Sequence, residues 1–109
     1  MKVELLYIAD CPNYVEAARL LREMLSEFGA RDEVSEIEVT DSAQAEALAF
    51  IGSPSIRIEG KDIEPIEPSA RHYALSCRTY LVDGKLTGVP PLDMIRAAIS
   101  AADAGTKGR

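Results

Sequence analysis

The chain has 109 residues, of which 47% are hydrophobic and 28% are charged, as in an ordinary folded domain. Its formal net charge of −6 argues against nucleic acid and anionic membranes as partners, because phosphate binding needs a basic surface. No apolar run is long enough for a membrane span, and the first residues enter a strand pattern without a signal-peptide layout. We therefore expect one cytoplasmic domain over residues 1–103 with a frayed tail at 104–109.

Hydrophobic periodicity divides the chain into alternating strands and helices, followed by a hairpin and a final helix. The first helix has the clearest pattern, because its apolar stripe has helical spacing, Pro12 suits a first helical position and Gly29 suits a helix end. In chain order, the predicted elements are a strand at 2–9, a helix at 12–28, a strand at 34–39, a helix at 41–50, strands at 55–59, 62–64, 77–82 and 85–87, and a helix at 90–103.

Turn signals separate the elements of the second half of the chain. Gly52-Ser53-Pro54 interrupts the second helix, and Gly60-Lys61 and Asp83-Gly84 are typical of tight turns between antiparallel strands. Residues 65–76 have no clear period and are predicted to form a loop with at most one helical turn. The order β-α-β-α-β-β, an insertion with an extra hairpin, then α predicts an α/β fold with a mixed central sheet flanked by helices, because strand–helix–strand units impose parallel pairing.

Cys11 stands at the start of the first predicted helix, directly after a strand. The first N–H groups of a helix have no internal partner and carry roughly half a positive charge, which favours the nucleophilic thiolate. Asp10 opposes this effect, because an adjacent carboxylate disfavours a second negative charge. Arg71, His72 or Arg78 would offset Asp10 if the insertion folds over the site. We expect Cys11 to be an exposed, nucleophilic thiol.

Cys-Pro at a helix start (Cys11-Pro12), Gly52-Ser53-Pro54-Ser55-Ile56 at a strand entry and Gly60-Lys61 in a turn together resemble the thioredoxin/glutaredoxin superfamily. The resemblance covers residues 2–64 and 85–101. It extends to short bacterial thioredoxin-like proteins with the same Gly-Ser-Pro, Ala-Leu-Ser-Cys-Arg and Gly-Val-Pro-Pro segments, some of them labelled as related to organomercurial lyase.

The resemblance implies a thioredoxin-like fold in which Pro54 follows a cis peptide bond and lies against the reactive cysteine. It also implies that the backbone at Ser53 offers an edge to an extended, thiol-bearing partner. We expect Pro12, Tyr14, Ser53 and Pro54 to form the substrate-binding surface around the sulfur.

The redox motif departs from that family, whose Cys-x-x-Cys is replaced here by Cys11-Pro12-Asn13-Tyr14. Since Tyr14 stands where the second cysteine would be, the candidate resolving thiol is Cys77, which the topology brings toward the edge beside Pro54. A disulfide requires Cα atoms within about 7 Å. The alternative is that Cys77 is a small buried hydrophobe.

Four functions fit these residues. The leading hypothesis is a thiol–disulfide oxidoreductase that acts on a thiol- or disulfide-bearing protein or a small thiol, with Cys11 as the nucleophile and Cys77 as the resolving thiol. The second is monothiol exchange by Cys11 with an external thiol, and the third is capture of a soft metal such as mercury or arsenic by both sulfurs. The fourth is a non-catalytic thioredoxin-like binding module. Two cysteines and His72 are too few for a closed zinc site of about four ligands, and no cofactor is expected.

Overall fold

The computed structural model describes residues 1–29, 34–64 and 75–107. Its strands are β1 (Val3–Tyr7), β2 (Val34–Glu38), β3 (Ser55–Ile58), β4 (Lys61–Asp62), β5 (Tyr80–Val82) and β6 (Lys85–Thr87), and its helices are α1 (Tyr14–Glu27), α2 (Ser42–Ala47) and α3 (Leu92–Lys107). The prediction of a small α/β fold with a mixed sheet and three helices is confirmed.

The main sheet has the strand order β2-β1-β3-β4, and β5 and β6 form a separate antiparallel hairpin. β1 pairs in parallel with β2 and antiparallel with β3, and β3 pairs antiparallel with β4. Leu6 near the end of β1 is in register with Ser55 at the start of β3. The antiparallel direction of β3 therefore brings the segment after β1 and the segment before β3 to one end of the sheet.

Both faces of β1 are buried, because its apolar residues enter two different clusters. Val3 and Leu5 pack in the larger cluster with residues of α1 and α3, including Leu21 and Ile99. Leu6 points to the smaller cluster, which contains Val39, Ala45 and Phe50. A run rich in apolar residues is the pattern of a strand covered on both sides, so this part of the core follows from the sequence.

Several element boundaries differ from the predicted ones. α1 begins at Tyr14 with Asn13 as its N-cap, so Pro12 precedes the helix instead of opening it. The strand predicted at 77–82 is regular only from Tyr80, and Cys77 forms an isolated bridge. α3 continues to Lys107, through most of the segment assigned to the tail. Residues 65–74 of the predicted loop lie outside the described residues.

Within residues 1–29, 34–64 and 75–107, no helix combines the length and the apolar character needed to cross a membrane.

Candidate functional site

Cys11 lies in a turn between β1 and α1. Its backbone N–H donates a hydrogen bond of 3.1 Å to the carbonyl of Ile8, and Pro12 beside it is exposed. The residue is only 5% exposed, so the prediction of an exposed thiol at this position is wrong. The first helical residue comes three positions later, and the field of a helix end weakens beyond its first turn. The structure therefore gives less support to the prediction that the start of the helix activates this sulfur.

Ser53 and Pro54 are both buried at the entry to β3, and the peptide bond between them is cis. The hydroxyl oxygen of Ser53 accepts a hydrogen bond of 3.1 Å from the backbone N–H of Ile8. Ile8 is the residue whose carbonyl binds the N–H of Cys11. Ser53 is thereby connected to the turn that holds the buried cysteine.

The backbone of Ser53 is also connected to the second cysteine. Its N–H donates to the carbonyl of Ser76 at 2.8 Å, and its carbonyl accepts from the N–H of Arg78 at 2.9 Å. Cys77 lies between these two residues and forms a parallel bridge with Ser53. Cys77 itself is exposed and, like Cys11, is a free thiol. The alternative of a buried, inert Cys77 is therefore wrong, because its side chain is accessible.

Arg78 anchors the segment that carries Cys77. Its guanidinium makes two hydrogen bonds, of 2.6 and 2.7 Å, to the carboxylate of Asp62 and a third, of 3.2 Å, to the hydroxyl of Ser55. It also lies over the ring of Tyr80, 4.2 Å from the ring centre. The side chain is buried, at 4% exposure for the residue. Its charge is therefore engaged by Asp62, and Arg71 and His72, the other predicted cations, lie outside the described residues.

Tyr80 is a site residue that the sequence analysis did not identify. Its hydroxyl donates a hydrogen bond of 2.6 Å to the carbonyl of Pro54, and its side chain is completely buried. Burial raises the pKa of Tyr80 above its ordinary value. The hydrogen bond to Pro54 places the Tyr80 hydroxyl at the entry to β3. The sequence signal that could have identified Tyr80 was an aromatic residue on the strand that precedes the Asp83-Gly84 turn.

Tyr14, three residues after Cys11, packs against the end of β1. Its ring stacks on the ring of Tyr7, with 4.1 Å between ring centres and 7° between planes. Offset or parallel ring pairs of this kind stabilise packing. Tyr14 thus ties the first turn of α1 to the last residue of β1.

The described residues contain no group of three or more His, Cys, Asp or Glu side chains arranged to hold a metal ion.

Comparison with known proteins identifies a family. A search of curated proteins finds no match, and neither does a search of solved structures. The family profile described as "Domain of unknown function (DUF2703)" matches residues 12–99. The match includes Ser53, Pro54 and Cys77 and begins immediately after Cys11. Because the match covers most of the chain, this protein belongs to the DUF2703 family.

Proposed function

We propose that this protein carries out thiol–disulfide exchange with Cys11 and Cys77 as its two sulfurs. The observation that supports this most directly is the position of Ser53 between them. Its side chain binds Ile8, which closes the Cys11 turn, and its backbone binds both neighbours of Cys77. One buried residue therefore joins the two cysteine-bearing segments.

The strand order supports a thioredoxin-like fold as the setting for this chemistry. The elements follow one another as β-α-β-α-β-β, a hairpin and α, and the sheet has the order β2-β1-β3-β4 with a parallel β1–β2 pair and antiparallel β1–β3 and β3–β4 pairs. Both features are compatible with the fold that the resemblance implies. The strand order puts a cysteine after β1 and a proline before β3 at the same end of the sheet. The β5–β6 hairpin and the segment before it are additions that bring the second cysteine to that end.

The greater exposure of Cys77 favours its sulfur as the one that attacks the substrate first. An exchange reaction requires an attacking thiolate that can reach the disulfide, and Cys77 is exposed whereas Cys11 is 5% exposed. Cys11 then acts as the resolving thiol. This order reverses the roles that the sequence analysis assigned to the two residues.

The proposed reaction has two balanced steps. The thiolate of Cys77 attacks a disulfide R–S–S–R, a Cys77–S–S–R bond forms, and one R–S⁻ leaves and takes up a proton. The thiolate of Cys11 then attacks the sulfur of Cys77, a Cys11–Cys77 disulfide forms, and the second R–S⁻ leaves. The substrate is reduced by two electrons and the protein is oxidised by two. In the cytoplasm, where we expect the protein to act, two equivalents of a small thiol would restore both cysteines.

Trapping of the intermediate tests the proposal. The reduced Cys11→Ser variant, treated with hydroxyethyl disulfide, should accumulate a mixed disulfide on Cys77, visible by intact-mass and peptide mass spectrometry. The wild-type protein should instead lose two hydrogen atoms and contain a Cys11–Cys77 peptide pair under non-reducing conditions. A wild-type protein that stops at the same mixed disulfide would rule out Cys11 as the resolving thiol.

Titration with Hg(II) distinguishes the soft-metal function. Two cysteine sulfurs on segments that Ser53 connects are candidate ligands for a thiophilic ion. A tight one-to-one complex that needs both cysteines, in a protein that forms no internal disulfide, would favour metal capture. Absence of both activities would favour the non-catalytic binding module.

A further inference from the structure

We infer, on the basis of the proposed exchange reaction, that the substrates are disulfides of small molecules and not disulfides within extended polypeptides. The resemblance implied that Ser53 offers a free backbone edge to an extended partner. In the structure, a segment of the same chain, residues 76–78, occupies that edge.

The pairing leaves no room for a partner strand at Ser53. Binding of an extended peptide to a strand edge depends on unpaired backbone N–H and carbonyl groups. The N–H of Ser53 is bonded to Ser76 and its carbonyl to Arg78, at 2.8 and 2.9 Å. A peptide would have to replace both bonds with its own, so it would gain no new backbone hydrogen bonds in exchange for its ordering.

Residues 76–78 are also held through the side chain of Arg78. The guanidinium of Arg78 is bonded to both carboxylate oxygens of Asp62, and Arg78 is 4% exposed. Bidentate pairs of this kind are among the stronger hydrogen-bonded contacts in proteins. Displacement of the segment would expose Arg78 or leave Asp62 without its partner.

Residues 76–78 also approach the backbone of Gly52 closely. A Cβ atom placed on Gly52 would lie 2.8 Å from the Cβ of Arg78, so glycine is needed where the two segments meet. Cys77 remains exposed on this fixed segment. The result is an accessible sulfur beside a Ser53 edge that is already paired, which suits a substrate recognised at its disulfide and not through backbone pairing with Ser53.

The inference is tested with two disulfides of matched reactivity. One is hydroxyethyl disulfide, which is neutral and so does not respond to the net charge of −6. The other is an unstructured, neutral ten-residue peptide whose central cysteine is linked to mercaptoethanol. We expect the wild-type protein to react faster with the small disulfide than with the peptide, with free cysteine as the reference for intrinsic reactivity. A peptide rate constant above that of the small disulfide, after this correction, would overturn the inference.

An Asp62→Asn variant tests the role of the anchored segment. Loss of the Asp62 charge should loosen residues 76–78 and raise the ratio of the peptide rate to the small-disulfide rate several-fold. Asp93→Asn is the matched control, because it removes the same charge from an exposed pair with Arg96 and should leave the ratio unchanged. An unchanged ratio in a folded Asp62→Asn variant would contradict the proposed exclusion of peptides.

Amide hydrogen exchange provides a second measurement, in the wild-type protein, that does not depend on catalysis. The N–H groups of Ser53 and Arg78 should be protected as strongly as those of the β1–β3 pair, both alone and with excess thiol-free peptide of the same sequence. Rapid exchange at Arg78, or a change on adding the peptide, would show that the edge opens and would overturn the inference. If amide hydrogen exchange is slow but the reduced protein reacts with neither disulfide, the proposed function is wrong, whereas the inference that the Ser53 edge is closed is retained.

Discussion

The hydroxyl of Tyr80 donates a hydrogen bond of 2.6 Å to the carbonyl of Pro54, across 26 residues of sequence. Both residues are buried. The bond joins the hairpin strand β5 to the entry of β3, and so fixes the hairpin against the end of the sheet where the two cysteine segments meet.

Tyr80→Phe should destabilise the protein by about 1–3 kcal/mol, because the carbonyl of Pro54 loses its donor while it stays buried. Urea unfolding at pH 8 measures the change. Leu86→Ser, at a strand position that is 68% exposed, is the control and should shift the free energy of unfolding by less than about 0.5 kcal/mol.

The difference in free energy of unfolding between the wild-type protein and Tyr80→Phe should become smaller as the pH rises above 10. Burial raises the folded-state pKa of Tyr80, so above pH 10 the unfolded state loses this proton before the folded state does. The wild-type protein is then destabilised with increasing pH, by at most about 1.4 kcal/mol per pH unit from this group. Urea unfolding at intervals from pH 9 to 11 measures the trend, and a constant difference would contradict it.

Asp62→Ala should lower the free energy of unfolding by about 3–5 kcal/mol, the usual result of leaving a buried charge without its partner. Arg78 would lose both short hydrogen bonds to that carboxylate. The nearest remaining carboxylate is that of Glu64, at 3.7 Å, and the neutral hydroxyl of Ser55 at 3.2 Å does not replace the lost charge. Arg19→Ala, which breaks the exposed pair with Glu16, should have a much smaller effect. Comparable losses of unfolding free energy in the two variants would argue against a stabilising role for the Asp62 pair.

Gly52→Ala should destabilise by at least about 2 kcal/mol, from backbone strain and overpacking together. Gly52 has a φ of +137°, and the new Cβ would meet Arg78 at 2.8 Å. Gly60→Ala separates the two causes: it has a φ of +79° with no atom within 4 Å of its added Cβ. We expect a cost of about 1–2 kcal/mol there. Equal effects in thermal or urea unfolding would mean that contact with Arg78 contributes nothing.

Cys77 should react with a charged alkylating agent much faster than Cys11 in the folded, reduced protein, because only Cys77 is exposed. In urea the two should react at similar rates, since access then no longer differs. Peptide mass spectrometry over a time course measures both. Faster labelling of Cys11 in the folded state would reverse the proposed order of attack.

The architecture could be predicted from the sequence because its signals are local. The apolar spacing of α1, the apolar-rich sequence of β1 and the turn at Asp83-Gly84 act within a few residues of their own positions. Each of them determines an element directly, and the order of elements limits the ways in which the sheet can be assembled.

The accessibility of the two sulfurs was decided only by the tertiary structure. The sequence has Cys11 beside a helix and Cys77 beside a strand, yet it is packing that buries the first and exposes the second. The pairing of Ser53 with residues 76–78, the Arg78–Asp62 contact and the Tyr80–Pro54 bond connect residues that are 16 to 26 positions apart. Such contacts leave no periodic trace in the chain, because each depends on how separate elements come together in three dimensions.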